Sequence, residues 1–197
     1  MIPKACPTAL SGAGKTTIGR HLYELWRSQA PNTVLVDGDE VRAIFGDDRN
    51  PADYTVEGRR RNNRRLAGIC AWLDGQGINV VCCTLSNFPE RSIWNRETYS
   101  DYFEVYVTAP MEVLEARDTK GLYARARSGE MDSVVGVDIP FIAPERPDLT
   151  VDTGNGSDPL TIAAEILKRT EEVAARARAP GAEADKPVRD IILRSGR

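Results

Sequence analysis

Ala9-Leu10-Ser11-Gly12-Ala13-Gly14-Lys15-Thr16-Thr17 has the spacing of a phosphate-cradling loop. It follows the pattern G-x-x-x-x-G-K-[ST], with Ala9 standing where the first glycine belongs. Gly12 and Gly14 let successive backbone N–H groups turn inward without a Cβ in the way. Lys15 is placed to reach the β- and γ-phosphates of ATP, and the Thr16 hydroxyl to ligate Mg²⁺. Ser11, Ala13 and Thr17 complete the set expected to hold the nucleotide. The helix that opens at Thr16 brings the positive end of its dipole to the same anion.

Such a loop joins a strand to a helix. The helix runs from Thr16 to about Ser28 and ends before Pro31. The strand is awkward, because Pro3 and Pro7 both lack the N–H that a central strand uses. Either it is only two or three residues long, or the entry to the loop is unusual. Further on, Thr33–Val36, Ile78–Cys83, Phe103–Val107 and Leu149–Val151 read as short buried strands. Helices are expected at Glu40–Phe45, Glu57–Gly75, Pro89–Tyr99, Met111–Arg117 and Leu160–Arg178. Ser157-Asp158-Pro159 caps the last of them. In the longest, Leu66, Ile69, Cys70 and Leu73 give the i, i+3, i+4, i+7 stripe of a core-facing helix. Strands alternating with helices predict a three-layer α/β domain with a five-stranded, mainly parallel sheet. Residues 118–147 lose the regular pattern and are dotted with glycine, which reads as a lid. The domain spans residues 1–178, and 179–197 read as a mobile C-terminal tail.

Composition narrows the function. The 197 residues suit one domain with a single sizeable core. A net charge of −3 argues against general nucleic-acid affinity. No apolar run reaches membrane-spanning length, and the opening Met1-Ile2-Pro3-Lys4 lacks the apolar run of a signal peptide, so a cytoplasmic protein is expected. Cys6, Cys70, Cys82 and Cys83 form no C-x-x-C pair, and three lie in apolar stretches, so buried reduced thiols are expected. The single histidine, His21, sits within a helix, which disfavours His-dependent nucleophilic catalysis.

Two groups of residues carry the remaining chemistry. Asp37 and Asp39 are two apart at the end of a strand, where open α/β sheets place their ligands. Next to Mg-ATP such a pair can hold metal-bound water and take a proton from an attacking hydroxyl; an Asp-Gly turn capping a helix is the plainer alternative. Arg42 lies one helical turn beyond Asp39. Downstream, Gly58-Arg59-Arg60-Arg61-Asn62-Asn63-Arg64-Arg65 holds five arginines in eight residues. Arg59, Asn62 and Leu66 share a face that continues into the core stripe, so Arg59 and Asn62 point inward. Arg60, Arg61 and Arg64 then fall on a solvated outer face. Arg59 is suited to forked bonds with an anionic second substrate.

The loop, then Val36-Asp37-Gly38-Asp39-x-x-Arg42, then Arg59-x-x-Asn62-x-Arg64-Arg65, resembles the adenylyl-sulfate kinase family. Lys120-Gly121-Leu122-Tyr123, Gly136-Val137-Asp138 and Ala143-Pro144-Glu145-x-Pro147 extend the resemblance in order and spacing over roughly residues 8–155. The resemblance implies ATP-dependent phosphorylation of the 3′-hydroxyl of adenosine 5′-phosphosulfate, with Mg²⁺ accompanying ATP. Asp39 is implied as acceptor-side base and, with Thr16, as metal organiser, assisted by Asp37. Lys120 is implied to enter from the lid and stabilise the transferring group. Arg42, Arg59, Asn62, Ser86, Phe88, Lys120 and Phe141 are implied to bind the acceptor, Phe141 by stacking on adenine. Ser86 matches a serine that some members phosphorylate, although a strand-end structural serine is the simpler reading. Two departures stand out: Ala9 in the loop, and Asn87 in Leu85-Ser86-Asn87-Phe88, where the family carries proline. They bear on the acceptor more than on the kinase chemistry. The alternatives are a related kinase for another nucleotide-linked anion or a hydroxyl metabolite, and an inactive nucleotide-binding module. Partners are expected to be small molecules, without nucleic acid or membrane, and a homodimer is left open.

Overall fold

A computed structural model describes residues 4–177; the expected tail, 179–197, lies outside the described residues. Five strands are ordered β2-β3-β1-β4-β5 in one sheet: β1 Lys4–Thr8, β2 Thr33–Asp37, β3 Asn79–Cys83, β4 Tyr102–Thr108 and β5 Leu149–Asp152. All four pairings are parallel, so the sheet is wholly rather than mainly parallel. The helices are α1 Lys15–Gln29, α2 Gly38–Ile44, α3 Val56–Gly75, α4 Pro89–Thr98, α5 Met111–Ala116, α6 Leu122–Arg127 and α7 Pro159–Ala177. None is long and apolar enough to cross a membrane.

Alternation along the strands divides the core into two layers. Ala5, Val81 and Cys83 face one side with Ile18, Leu22 and Trp26 of α1 and Ala163, Ile166 and Leu167 of α7. Cys6, Val80 and Cys82 face the other with Leu66, Cys70 and Ala71 of α3. All four cysteines are free and buried, as expected.

The first strand corrects the sequence reading. It is five residues long, fully buried and central, with Pro7 inside it. A residue in a parallel strand sends its N–H and C=O to the same neighbour. The Pro7 carbonyl accepts from Thr84 N–H on the β3 side, so the missing N–H falls on that side too. The ladder to β4 accordingly runs unbroken from Lys4 to Thr8, whereas towards β3 it registers at Ala5↔Val81 and again at a separate Thr8↔Thr84 bridge. One gap on one side is a cost the sheet absorbs.

The loop 46–55 also holds more order than expected. A 3-10 helix, Pro51–Tyr54, is capped by Asn50 and leads into α3, whose first turn is capped by the Thr55 hydroxyl accepting from Gly58 N–H. The segment expected as a lid contains α6. Its Tyr123, and Val134 and Val135 further on, are buried, which anchors the segment to the core.

Candidate active site

The loop between β1 and α1 has the backbone its sequence requires. Gly12 and Gly14 sit at φ +79° and +88°, conformations that favour glycine. Ala9 lies outside the left-handed region and is fully buried in the core, so the position that departs from the pattern needs no glycine. Three side chains fix the loop from outside. Tyr123 Oη donates to Ser11 O at 2.9 Å, Thr153 Oγ1 donates to Ala13 O at 3.1 Å, and Cys83 Sγ donates to Lys15 O at 3.5 Å. Sequence reasoning missed all three, because a side chain reaching a backbone carbonyl far along the chain leaves no local pattern. Asp118 is another: its carboxylate accepts from Leu122, Tyr123 and Ala124 N–H, which starts α6 and sets the approach of Lys120.

A cleft of about 510 Å³ opens over the loop, lined by Gly12, Gly14, Lys15, Thr16, Asp39, Arg117 and Lys120 among others. Burial pulls the Lys15 pKa below the usual lysine value, against the raising influence of Asp39 and Asp37.

The two aspartates have separate positions. Asp37, buried at the end of β2, accepts from Thr16 Oγ1 at 3.0 Å and caps α2 by accepting from Asp39 N–H at 2.8 Å. Asp39, exposed, accepts from Lys120 Nζ at 2.6 Å. Thr16 and Asp39, expected to organise the metal, line the same cleft, while the direct hydrogen-bond partner of Thr16 is Asp37. Desolvation works to raise the Asp39 pKa. The hydrogen bond and charge of Lys120, with Lys15 and Arg42, outweigh it and hold the carboxyl below its usual range. The Lys120 pKa is raised by the same bond.

Beyond Asp39 lies a cationic wall. The Arg42 guanidinium is buried, donates to Asp53 O at 2.6 Å and lies 4.6 Å from the Tyr54 ring centroid. Arg59 donates to Tyr54 O at 2.8 Å and Ser133 O at 2.9 Å, with the same ring at 5.8 Å. Burial, then the charge of Arg42, lowers the Arg59 pKa. Neither arginine forms an ion pair among the described residues. Asn62 is buried beside them, donates to Gly38 O at 3.2 Å and leaves its Oδ1 unpaired.

The remainder of the arginine run is less solvated than expected. Arg60 pairs with Glu90 and lies 4.6 Å from the Phe88 ring centroid, and Arg61 pairs with Asp47 and Asp53. The helical register was right, but α4 and the 3-10 helix close over that face; Arg64 alone of the three is exposed. Ser86 N–H donates to Thr8 Oγ1 at 3.1 Å, and its hydroxyl accepts from Asn63 at 3.4 Å. Phe88 is buried at the start of α4, and Phe141 is half-buried, stacked on Tyr106.

A glycine-turned phosphate cradle at the end of a central parallel strand, with a carboxylate and a lid lysine at its edge, defines a P-loop kinase that phosphorylates a hydroxyl acceptor. The family model for adenylylsulphate kinase matches residues 6–152, and the chain belongs to that family. It is 41% identical over 138 residues to a cytidine diphosphoramidate kinase of Campylobacter jejuni, covering 70% of this chain and 79% of that one. It is 38% identical over 146 residues to an adenylyl-sulfate kinase of Halothermothrix orenii, covering 74% and 77%. The APS kinase of Mycobacterium tuberculosis, solved in complex with AMPPNP and APS, superposes with a TM-score of 0.77 at 28% identity over 86% of this chain and 98% of that one.

Proposed function

We propose that the chain transfers the γ-phosphoryl group of ATP to a ribose hydroxyl of a nucleotide carrying a second anionic group, with adenosine 5′-phosphosulfate the first acceptor and its 3′-hydroxyl the point of attack. One observation carries the reading. Arg42 and Arg59 gather at the Tyr54 ring with only carbonyl oxygens as hydrogen-bonding partners. Two desolvated guanidiniums without a bonded carboxylate are a standing demand for an anion.

The roles follow from position. The loop backbone from Ser11 to Thr17 and the Lys15 ammonium hold the ATP phosphates. The Thr16 hydroxyl and the Asp37 carboxylate, 3.0 Å apart, are hard oxygen donors of the kind that suit Mg²⁺. Held there, Mg²⁺ would supply positive charge to offset that of the ATP phosphates. Asp39 takes the proton of the attacking hydroxyl. While Lys120 holds Asp39, its carboxylate is a weak base. Transfer of the Lys120 ammonium to the γ-phosphoryl oxygens frees Asp39 and raises its basicity, so one movement serves both groups.

A second acceptor, cytidine diphosphoramidate, is favoured by the 41% identical relative that is a kinase of that name. Incubation with Mg-ATP and both acceptors, with ADP release and product position measured, tests the proposal. Phosphorylation of adenosine 5′-phosphosulfate at the 3′-hydroxyl is expected. Turnover of cytidine diphosphoramidate alone moves the acceptor to the second reading. ATP binding without turnover of either acceptor removes the proposal and leaves a kinase for another acceptor or an inactive nucleotide-binding module.

A further inference from the structure

Asn87 is buried between the end of β3 and the start of α4, and both ends of its amide are committed to the lid. Nδ2 donates to Pro140 O at 2.8 Å, and Oδ1 accepts from Ile142 N–H at 2.5 Å. These are the backbone groups on either side of Phe141. The Phe141 ring in turn stacks on Tyr106 of β4, with centroids 6.0 Å apart and planes 23° from parallel. One aromatic ring is thus held twice, by a side-chain clamp on its backbone and by a second ring on one of its faces. Proline, the residue the family resemblance expects at this position, has no side-chain donor or acceptor with which to make the clamp.

We infer that Asn87 is a positioning residue for the acceptor: it fixes the Phe141 ring as the platform on which a planar nucleobase stacks. This rests on the reading of Phe141 as the base contact made under the proposed function. Asn87 is buried, with one bond to lid backbone at each end of its amide, so its effect on the acceptor is indirect. It acts through the place it gives Phe141. Ser86 and Phe88 flank it in sequence, so the stretch expected to touch the acceptor and the lid segment expected to cover it are joined by this one amide.

The test uses the full chain as wild type, Asn87→Ala, Phe141→Ala and the double variant. Residue-resolved amide exchange comes first: Ile142 N–H should exchange at least about tenfold faster in Asn87→Ala, with α1 and the sheet unchanged. Kinetics with the best nucleotide acceptor should then show its KM raised roughly tenfold, as the loss of two neutral hydrogen bonds implies. Both kcat and the KM for ATP should stay within about twofold. In the Phe141→Ala background the Asn87 substitution should add less than about twofold, since two residues acting as a unit do not add. Losses that multiply in the double variant, or that fall equally on ATP and acceptor, overturn the inference, as does faster Ile142 exchange with unchanged acceptor KM. A wild type that accepts no nucleotide is a different failure. It removes the proposed function, and this inference with it, whatever Ile142 does.

Discussion

Lys120 Nζ lies 2.6 Å from Asp39 Oδ2, which ties the lid to the first turn of α2 across 81 residues of chain. With 61% and 70% of the two side chains exposed, the pair adds little to folding. Its consequence is electrostatic. A cation bonded to a carboxylate favours the ionised form, and the lowered Asp39 pKa reflects that.

Replacing the lysine should therefore move the acid limb of the activity profile. In Lys120→Met the carboxyl loses its partner, its pKa rises, and activity falls away at a higher pH than in wild type as the solution is acidified. Turnover at the optimum should also fall by about 10²-fold or more, because a charge aimed at the transferring group is lost. The profile of kcat/KM for the acceptor, carried from neutral pH down through the carboxylate range, measures both. An acid limb that stays in place would show that Asp39 is not the group titrating there.

Lys15→Ala should abolish phosphoryl transfer and leave the fold intact. The loop is held by Gly12 and Gly14 and by Tyr123, Thr153 and Cys83 bonding to its carbonyls, none of which involves the Lys15 side chain. Circular dichroism and an assay of the same preparation decide the matter, and an active variant would contradict the role given to the loop.

The separation of Asp37 from Asp39 makes a paired prediction. Asp39→Asn should lower kcat by on the order of 10²–10⁴-fold with small changes in either KM, since an amide cannot take the hydroxyl proton. Asp37→Asn keeps an oxygen to cap α2, so stability should hold, while the Mg²⁺ concentration needed for half-maximal rate should rise. Titrating both variants with Mg²⁺ distinguishes them. Identical responses would mean the two carboxylates act as one group.

The parts that were legible in sequence obey short-range rules. The cradle was readable because glycine spacing dictates its backbone. Four strands were readable as continuous apolar runs, as at Val80, Val81 and Cys82, because a parallel sheet is covered on both faces, and most helices by their period of 3.6, as at Leu66 and Cys70. Pro7 misled because its cost depends on which neighbour its missing N–H faces, and sequence does not say. Arg60 misled because what covers it, Glu90 and Phe88, comes from another helix. The Asn87 clamp and the Tyr123 bond to Ser11 span 53 and 112 residues, beyond any local signal.

Gly19 offers a stability test of how α1 seats on the sheet. A Cβ added there would overlap Cys83 Sγ on β3, inside the core. Gly19→Ala should thus destabilise the protein by about 1–3 kcal/mol, the usual cost of overpacking, despite alanine's better helix propensity. Cys83→Ala in the same chain removes the obstructing sulfur and should recover most of the loss. Denaturant unfolding of the single and double variants measures this. A double variant no more stable than Gly19→Ala would mean the strain lies elsewhere.

Arg59 is where acceptor recognition can be separated from folding. Its guanidinium makes two bonds to carbonyls and stays unpaired by any carboxylate among the described residues, so an incoming anion gains a charge-assisted contact. Arg59→Ala should weaken acceptor use by roughly 1.5–3 kcal/mol, or about 10- to 150-fold, the range for hydrogen bonds to charged groups. The KM for ATP should barely change, because the loop and Lys15 hold that substrate independently. Arg60 is no control, since it pairs with Glu90 and covers Phe88. Arg64, exposed on the same helix, is the suitable one, and Arg64→Ala should behave as wild type. Because Arg59 also bonds Ser133 O in the lid, thermal unfolding must accompany the kinetics. A lowered Tm with equal losses for both substrates would assign Arg59 to holding the lid. An unchanged Tm with a loss confined to the acceptor would place the anion on Arg59.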